Sequence, residues 1–137
     1  GLPAGLSTVL ESLRILVVDD EADSRELVSA ILTRCGGEVR VCESADEALQ
    51  TFRSWKPDIL ISDIGMPNQD GFDLIKKLRK QRLKLAKEIP AIALTAYATD
   101  DDRARTLSAG FQMHISKPIE PKALVRSIAG AVGRKVS

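Results

Sequence analysis

Five polar side chains stand where apolar runs give out. Asp19 and Asp20 follow Ile15-Leu16-Val17-Val18, and Asp63 follows the run centred on Ile59-Leu60-Ile61. Thr95 closes Ala91-Ile92-Ala93-Leu94, and Lys117 follows Met113-His114-Ile115-Ser116. Three carboxylates gathered in one pocket cannot all stay ionised without counter-charge. Two like charges ~5 Å apart repel by about 3 kcal/mol at an effective dielectric of about 20. Lys117 supplies one positive charge, and a divalent cation is the natural second. Oxygen-only donors suit Mg²⁺ or Mn²⁺, and no His or Cys cluster competes for zinc. A carboxylate, a hydroxyl, an ammonium and a hard cation together describe phosphoryl transfer, with Asp63 as the nucleophile forming an aspartyl phosphate. The cation and Lys117 would neutralise charge on the phosphoryl oxygens, and the Thr95 hydroxyl would donate to one of them.

That chemistry requires the chain to deliver all five residues to one place. Short apolar runs alternate with helical spacing throughout. Strands are expected at Arg14–Asp19, at Glu38–Cys42, around Ile59–Ile61, in "IPAIALTA" and in "FQMHIS". The first helix is expected over Ala22–Arg34, with Leu27, Ala30 and Ile31 on one face and Gly36-Gly37 as its stop. The second, "SADEALQTF", opens on a Ser44–Glu47 capping box and turns Ala45, Ala48, Leu49 and Phe52 inward. A third starts near Gly71 and carries Leu74, Ile75 and Leu78; its continuation "RKQRLKLAKE" reads as a charged, solvated segment. The fourth is "TDDDRARTLSAG", with acids in its first turn where the helix dipole favours them. The last has Pro121 at its first position and Leu124, Ile128 and Val132 as its buried face.

Strand–helix alternation repeated five times predicts an α/β fold, a parallel sheet covered by helices on both faces. In such a sheet ligands bind at the carboxyl ends of the strands, beside the switch in strand order. With order 2-1-3-4-5 the second strand is an edge, and it is the one strand with no comparable polar residue at its end. Length and composition agree with one domain: 137 residues, 44% hydrophobic, 28% charged, net charge +1. Near-neutrality argues against a large basic surface for nucleic acid, and 4% aromatics argue against stacking platforms for single strands. Cys35 and Cys42 form no CxxC pair; they read as reduced core or near-core residues of a cytoplasmic protein, with a lone disulfide between them as the alternative. No apolar run approaches membrane-spanning length. "GLSTVLESL" puts Leu6, Val9, Leu10 and Leu13 on one helical stripe, so residues 1–13 read as a linker helix or a frayed extension. Residues 14–133 read as the domain and 134–137 as a tail.

"LVVDDEAD", "DILISDIGMPNQDGFDLIKKLR", "AIALTAYA" and "AGFQMHISKP" together resemble the receiver domain of two-component response regulators, over roughly Arg14 to Val132. The resemblance implies a flavodoxin-like (βα)5 fold. It implies that Asp63 accepts a phosphoryl group from the phosphohistidine of a histidine kinase or histidine phosphotransfer protein. It implies direct Mg²⁺ ligation by Asp20, Asp63 and the Gly65 carbonyl, with Asp19 acting through water. Thr95 and Lys117 would hold the phosphoryl group, and Lys117-Pro118 would be a cis peptide. The family's switch aromatic lies three residues before the lysine; here that residue is His114, an imidazole that can rotate but also carry charge. The expected Thr–aromatic coupling is therefore altered or pH-sensitive. The resemblance also implies that Tyr97, two residues after Thr95, stands where the family modulates access to the phosphate. Partners are expected at the face of the fourth helix, fifth strand and fifth helix, with no nucleic acid contact and no membrane insertion. The leading segment, the missing initial Met and the longer charged stretch before "IPAIALTA" fit a C-terminal receiver module of a hybrid histidine kinase, tethered to a membrane-bound sensor.

Two other readings compete. A degenerate receiver would act only as a protein-binding module, but the full set of Asp19, Asp20, Asp63, Thr95 and Lys117 speaks against it. A haloacid-dehalogenase-like phosphatase also uses Asp and Mg²⁺, but its nucleophile follows the first strand in a DxD pattern that this chain does not match, and a cap domain is lacking.

Overall fold

A computed structural model describes residues 6–65, 71–96 and 100–134. The apolar runs become five parallel strands: β1 (Arg14–Val18), β2 (Glu38–Cys42), β3 (Ile59–Asp63), β4 (Ala91–Thr95) and β5 (Met113–Ser116). They form one sheet in the order β2-β1-β3-β4-β5. The central strands β3 and β4 are buried along their whole length, as expected where helices cover both faces of a parallel sheet. The edge strand β2 is mostly exposed.

Among the described residues six helices accompany them: α1 (Ala22–Arg34), α2 (Ala45–Trp55), α3 (Gly71–Arg79), α4 (Lys84–Glu88) and α5 (Asp100–Ala109) lie between strands, and α6 (Pro121–Ala131) follows β5. Alternation along the strands splits the core into two layers. Leu16, Leu60 and Ala93 face the side of α2 and α3, while Val17, Ile61 and Ile92 face the side of α1 and α6. The expected caps form where the sequence places them: Glu47 N–H donates to Ser44 Oγ at 3.2 Å, and Pro121 opens α6.

Three expectations are corrected. First, α1 buries Val28, Ile31 and Leu32, whereas Leu27 and Ala30 are exposed. The apolar residues of this helix are nearly contiguous, so two faces satisfy the same spacing and only the sheet decides between them. Second, the charged continuation of α3 is not simply solvated: it folds into α4, with Ala86 fully buried. Third, residues 6–12 run through tight turns rather than an α-helix. Leu6, Leu10 and Leu13 are nonetheless buried in the α1–α6 layer. This N-terminal strap is bonded at both flanks. Leu10 N–H donates to the Cys35 carbonyl at 2.9 Å, and Glu38 N–H to that of Leu13 at 2.8 Å. Arg134 Nη1 donates to the carbonyls of Val9 at 3.0 Å and Glu11 at 2.6 Å.

Candidate functional site

The parallel sheet sends the ends of β1, β3, β4 and β5 to one edge. Asp19 directly follows β1, Asp63 ends β3, Thr95 ends β4 and Lys117 directly follows β5. Asp19, Asp63 and Thr95 are buried, while Asp20 is exposed at the rim. Lys117 Nζ lies 3.5 Å from Asp19 Oδ2 and 3.7 Å from Asp63 Oδ2, so one ammonium bridges two carboxylates from different strands. The Lys117-Pro118 peptide is cis.

Backbone donors orient the two buried acids. Gly65 N–H donates to Asp63 Oδ1 at 3.1 Å, and Glu21 N–H donates to Asp19 Oδ1 at 2.9 Å. Both carboxylates thereby keep their second oxygen toward Lys117. The β3 and β4 ends are held in register by Ile64 N–H on the Leu94 carbonyl, 3.1 Å. Lys117 N–H donates to the Thr95 carbonyl at 2.8 Å, which fixes the β5 end beside the β4 end. Gly71, the first residue of α3, sits directly on this backbone: a Cβ there would come 2.5 Å from the Asp63 carbonyl oxygen. Only glycine allows α3 to start so close to Asp63.

One member of the site was not expected. Glu21 stands at the N-cap of α1 with extended backbone, yet its side chain caps nothing. Its carboxylate instead lies 4.0 Å from Lys117 Nζ. Oxygens of Asp19, Asp20, Glu21 and Asp63 all fall within 4.8 Å of one another. An acid following a strand end is an ordinary helix-starting residue, so its type alone gave no signal. The unused cap became visible only in the fold. Four acids against one ammonium leave excess negative charge, and an all-oxygen donor set of this kind fits a hard divalent cation.

His114 pairs with Ala93 in the β4–β5 ladder. It therefore shares a sheet face with Thr95, two residues along β4, and is partly buried. Tyr97 lies outside the described residues. Cys35 and Cys42 are both buried free thiols, and they belong to different core layers.

The response regulator receiver domain family matches residues 15–129. This chain is a member of that family. The receiver is 42% identical over 119 residues to a 14.6 kDa protein from the sodA1 3′ region of Leptolyngbya boryana, covering 87% of this chain and 89% of that one. It is 37% identical over 124 residues to the phosphate regulon transcriptional regulatory protein PhoB of Escherichia coli, covering 90% of this chain and 53% of PhoB. The receiver thus spans about half the length of that relative. Among solved structures it superposes on Vibrio cholerae CheY4 with TM-score 0.82 at 28% identity, covering 87% of this chain and 98% of that one. It superposes on the signal receiver domain of a histidine kinase from Syntrophus aciditrophicus with TM-score 0.80 at 29% identity, covering 89% and 91%. Among the described residues no helix is long and apolar enough to cross a membrane.

Proposed function

We propose that this receiver takes a phosphoryl group onto Asp63 from the phosphohistidine of a histidine kinase or phosphotransfer protein. An Asp63 carboxylate oxygen attacks phosphorus, the P–N bond breaks, and the imidazole nitrogen leaves with the electron pair. The observation that carries this reading is the Lys117 ammonium held between Asp19 and Asp63, at 3.5 and 3.7 Å. Lys117 is placed to exchange a carboxylate for a phosphoryl oxygen as negative charge moves onto the transferred group.

Asp20, Asp63 and the Gly65 carbonyl would hold Mg²⁺, with Asp19 supporting it through water and Mn²⁺ as a substitute. When bound, the cation adds positive charge beside the phosphoryl oxygens. The Gly65 N–H aims the Asp63 carboxylate, and burial of Asp63 limits water around it. Thr95 would donate its hydroxyl to a phosphoryl oxygen. His114, on the same sheet face as Thr95, would sense that bond and pass the change to the α5–β5–α6 face, where partners dock.

Acetyl phosphate supplies the test. With Mg²⁺ it should add one phosphoryl group, labile in base and read by intact-mass spectrometry; Asp63→Asn should take none. Labelling of that variant at the parent rate would remove Asp63 from its role. A parent chain that stays unlabelled would favour a phosphorylation-independent interaction module.

A further inference from the structure

Seven of the chain's 20 basic residues, but only one of its 19 acidic ones, fall between Lys76 and Glu88. Net charge over the whole chain is +1, so the remainder is net acidic and the positive charge is concentrated on α3, α4 and the turn between them. This turn is at the far end of the molecule from Asp63. Helix α3 starts against the Asp63 backbone and runs back along the strands. The chain then passes through α4 to Pro90, whose carbonyl accepts from Leu60 N–H at the amino ends of β3 and β4.

Arg79 alone is drawn inward: its guanidinium donates to the Gly110 carbonyl at 2.9 and 3.2 Å and to that of Ala86 at 3.2 Å. It fixes α4 against α3. Lys76, Lys80, Arg82, Lys84 and Lys87 are exposed. Among them stands Leu83, 49% exposed, at the N-cap of α4 with no capping bond. A helix start favours Ser, Thr, Asp or Asn there. Among the described residues Leu83 is one of four large hydrophobics exposed to a similar degree, and the one with a cation on each side, Arg82 and Lys84.

We propose that this turn is a docking surface for an anionic lipid bilayer. The cations meet acidic headgroups and Leu83 enters the acyl boundary, the pairing of charge and apolar contact that peripheral membrane binding needs. The segment holds no aromatic residue, which disfavours base stacking as the alternative. Its apolar tip is carried on a turn, which suits a deformable layer. Docking here leaves the carboxylate cluster facing away from the membrane, and the inference stands apart from the reading of Asp63.

The full chain can be floated with vesicles of phosphatidylcholine, alone or mixed with phosphatidylglycerol. Flotation is expected with the anionic vesicles at low salt, absent with the neutral ones, and lost at high salt. Replacing Arg82→Gln and Lys84→Gln together should weaken it on the order of 30-fold, and Leu83→Ser several-fold. Serine is a better N-cap than leucine, so the latter variant keeps the fold, and unchanged melting temperatures check both. Absence of flotation with anionic vesicles overturns the proposal, as does flotation indifferent to these variants. Duplex DNA bound as tightly as vesicles, with Leu83→Ser changing neither, would mark a general polyanion surface and equally overturn it. Acetyl phosphate labelling of the same variants is expected at the parent rate and reads the Asp63 assignment separately.

Discussion

Lys117 does two opposed things in the acidic cluster, and they can be separated. Its ammonium lies within 4.0 Å of Asp19, Asp63 and Glu21, so it neutralises carboxylates that a divalent cation would otherwise neutralise. In the proposed transfer the same charge would stabilise the phosphoryl group in transit. Lys117→Gln should therefore lower the rate of acetyl phosphate labelling by about 10²-fold or more, the usual loss on removing one electrostatic donor. The same variant should bind Mg²⁺ several-fold more tightly by titration calorimetry, because a competing positive charge is gone. A merely unfolded variant would lose both. The buried thiols make a second prediction at this scale. Burial raises the pKa of Cys35 and Cys42 above the ordinary 9.0. The folded state thus keeps thiol protons that the unfolded state gives up. Their contribution is fully present below the unfolded pKa and is lost as pH climbs from there through the folded value. Urea denaturation at stepped pH should show stability falling above about pH 9, with a shallower fall when both cysteines are alanine.

At the level of elements, arginine contacts supplement apolar packing where helices are polar. Helix α5 buries Thr106 and half-buries Ala109, and it lies beside α3 through Arg105 over the Phe72 ring, 4.1 Å from its centroid. Beyond the far end of α5, the Arg79 fork spans Gly110 and Ala86. Partial burial lowers the Arg79 pKa from its ordinary value, but arginine remains charged at any working pH. Arg79→Met should cost about 2–4 kcal/mol in urea denaturation, since charged hydrogen bonds are worth about 1.5–3 kcal/mol each and carbonyls are left without them. Lysine should recover little, lacking the planar fork. This clasp also shows where sequence pattern stops informing. The strands were legible because "RILVV" and "AIALT" leave no competing period. Helix α4 was hidden because Arg79, Lys80, Arg82 and Lys84 look like any solvated run; that one arginine folds inward depends on a carbonyl 31 positions away. Leu27 and Ala30 were expected on the buried face of α1 and lie exposed, because adjacent apolar residues blur the helical phase. Glu21 was missed for a related reason: its partner Lys117 comes from the opposite end of the chain.

For the whole molecule, charge and core follow different partitions of the chain. A net charge of +1 averages an acidic pole at the strand ends with a basic turn at the other, so the whole-chain value conceals both surfaces. The core, in turn, reaches outside the family-matched residues 15–129. Leu6, Leu10 and Leu13 were expected on a linker stripe, but they lie in the same layer as Val28, Ile31, Leu124 and Ile128. The spacing of these leucines records burial correctly. It misstates the conformation because turns closed by Cys35 and Arg134 satisfy the backbone without a helix. If this strap is part of the cooperative unit, Leu10→Ala should destabilise the domain as a core truncation does, by about 2–5 kcal/mol. A frayed extension would give about 0.5 kcal/mol or less. The single tryptophan, Trp55, is buried with the Arg40 guanidinium 4.8 Å from its ring centroid. It belongs to the opposite core layer from Leu10, so its fluorescence in urea reports unfolding at a distance from the mutation. One transition shifted to lower urea with unchanged slope would place the strap inside the receiver's folding unit. An unshifted midpoint would make it an attachment.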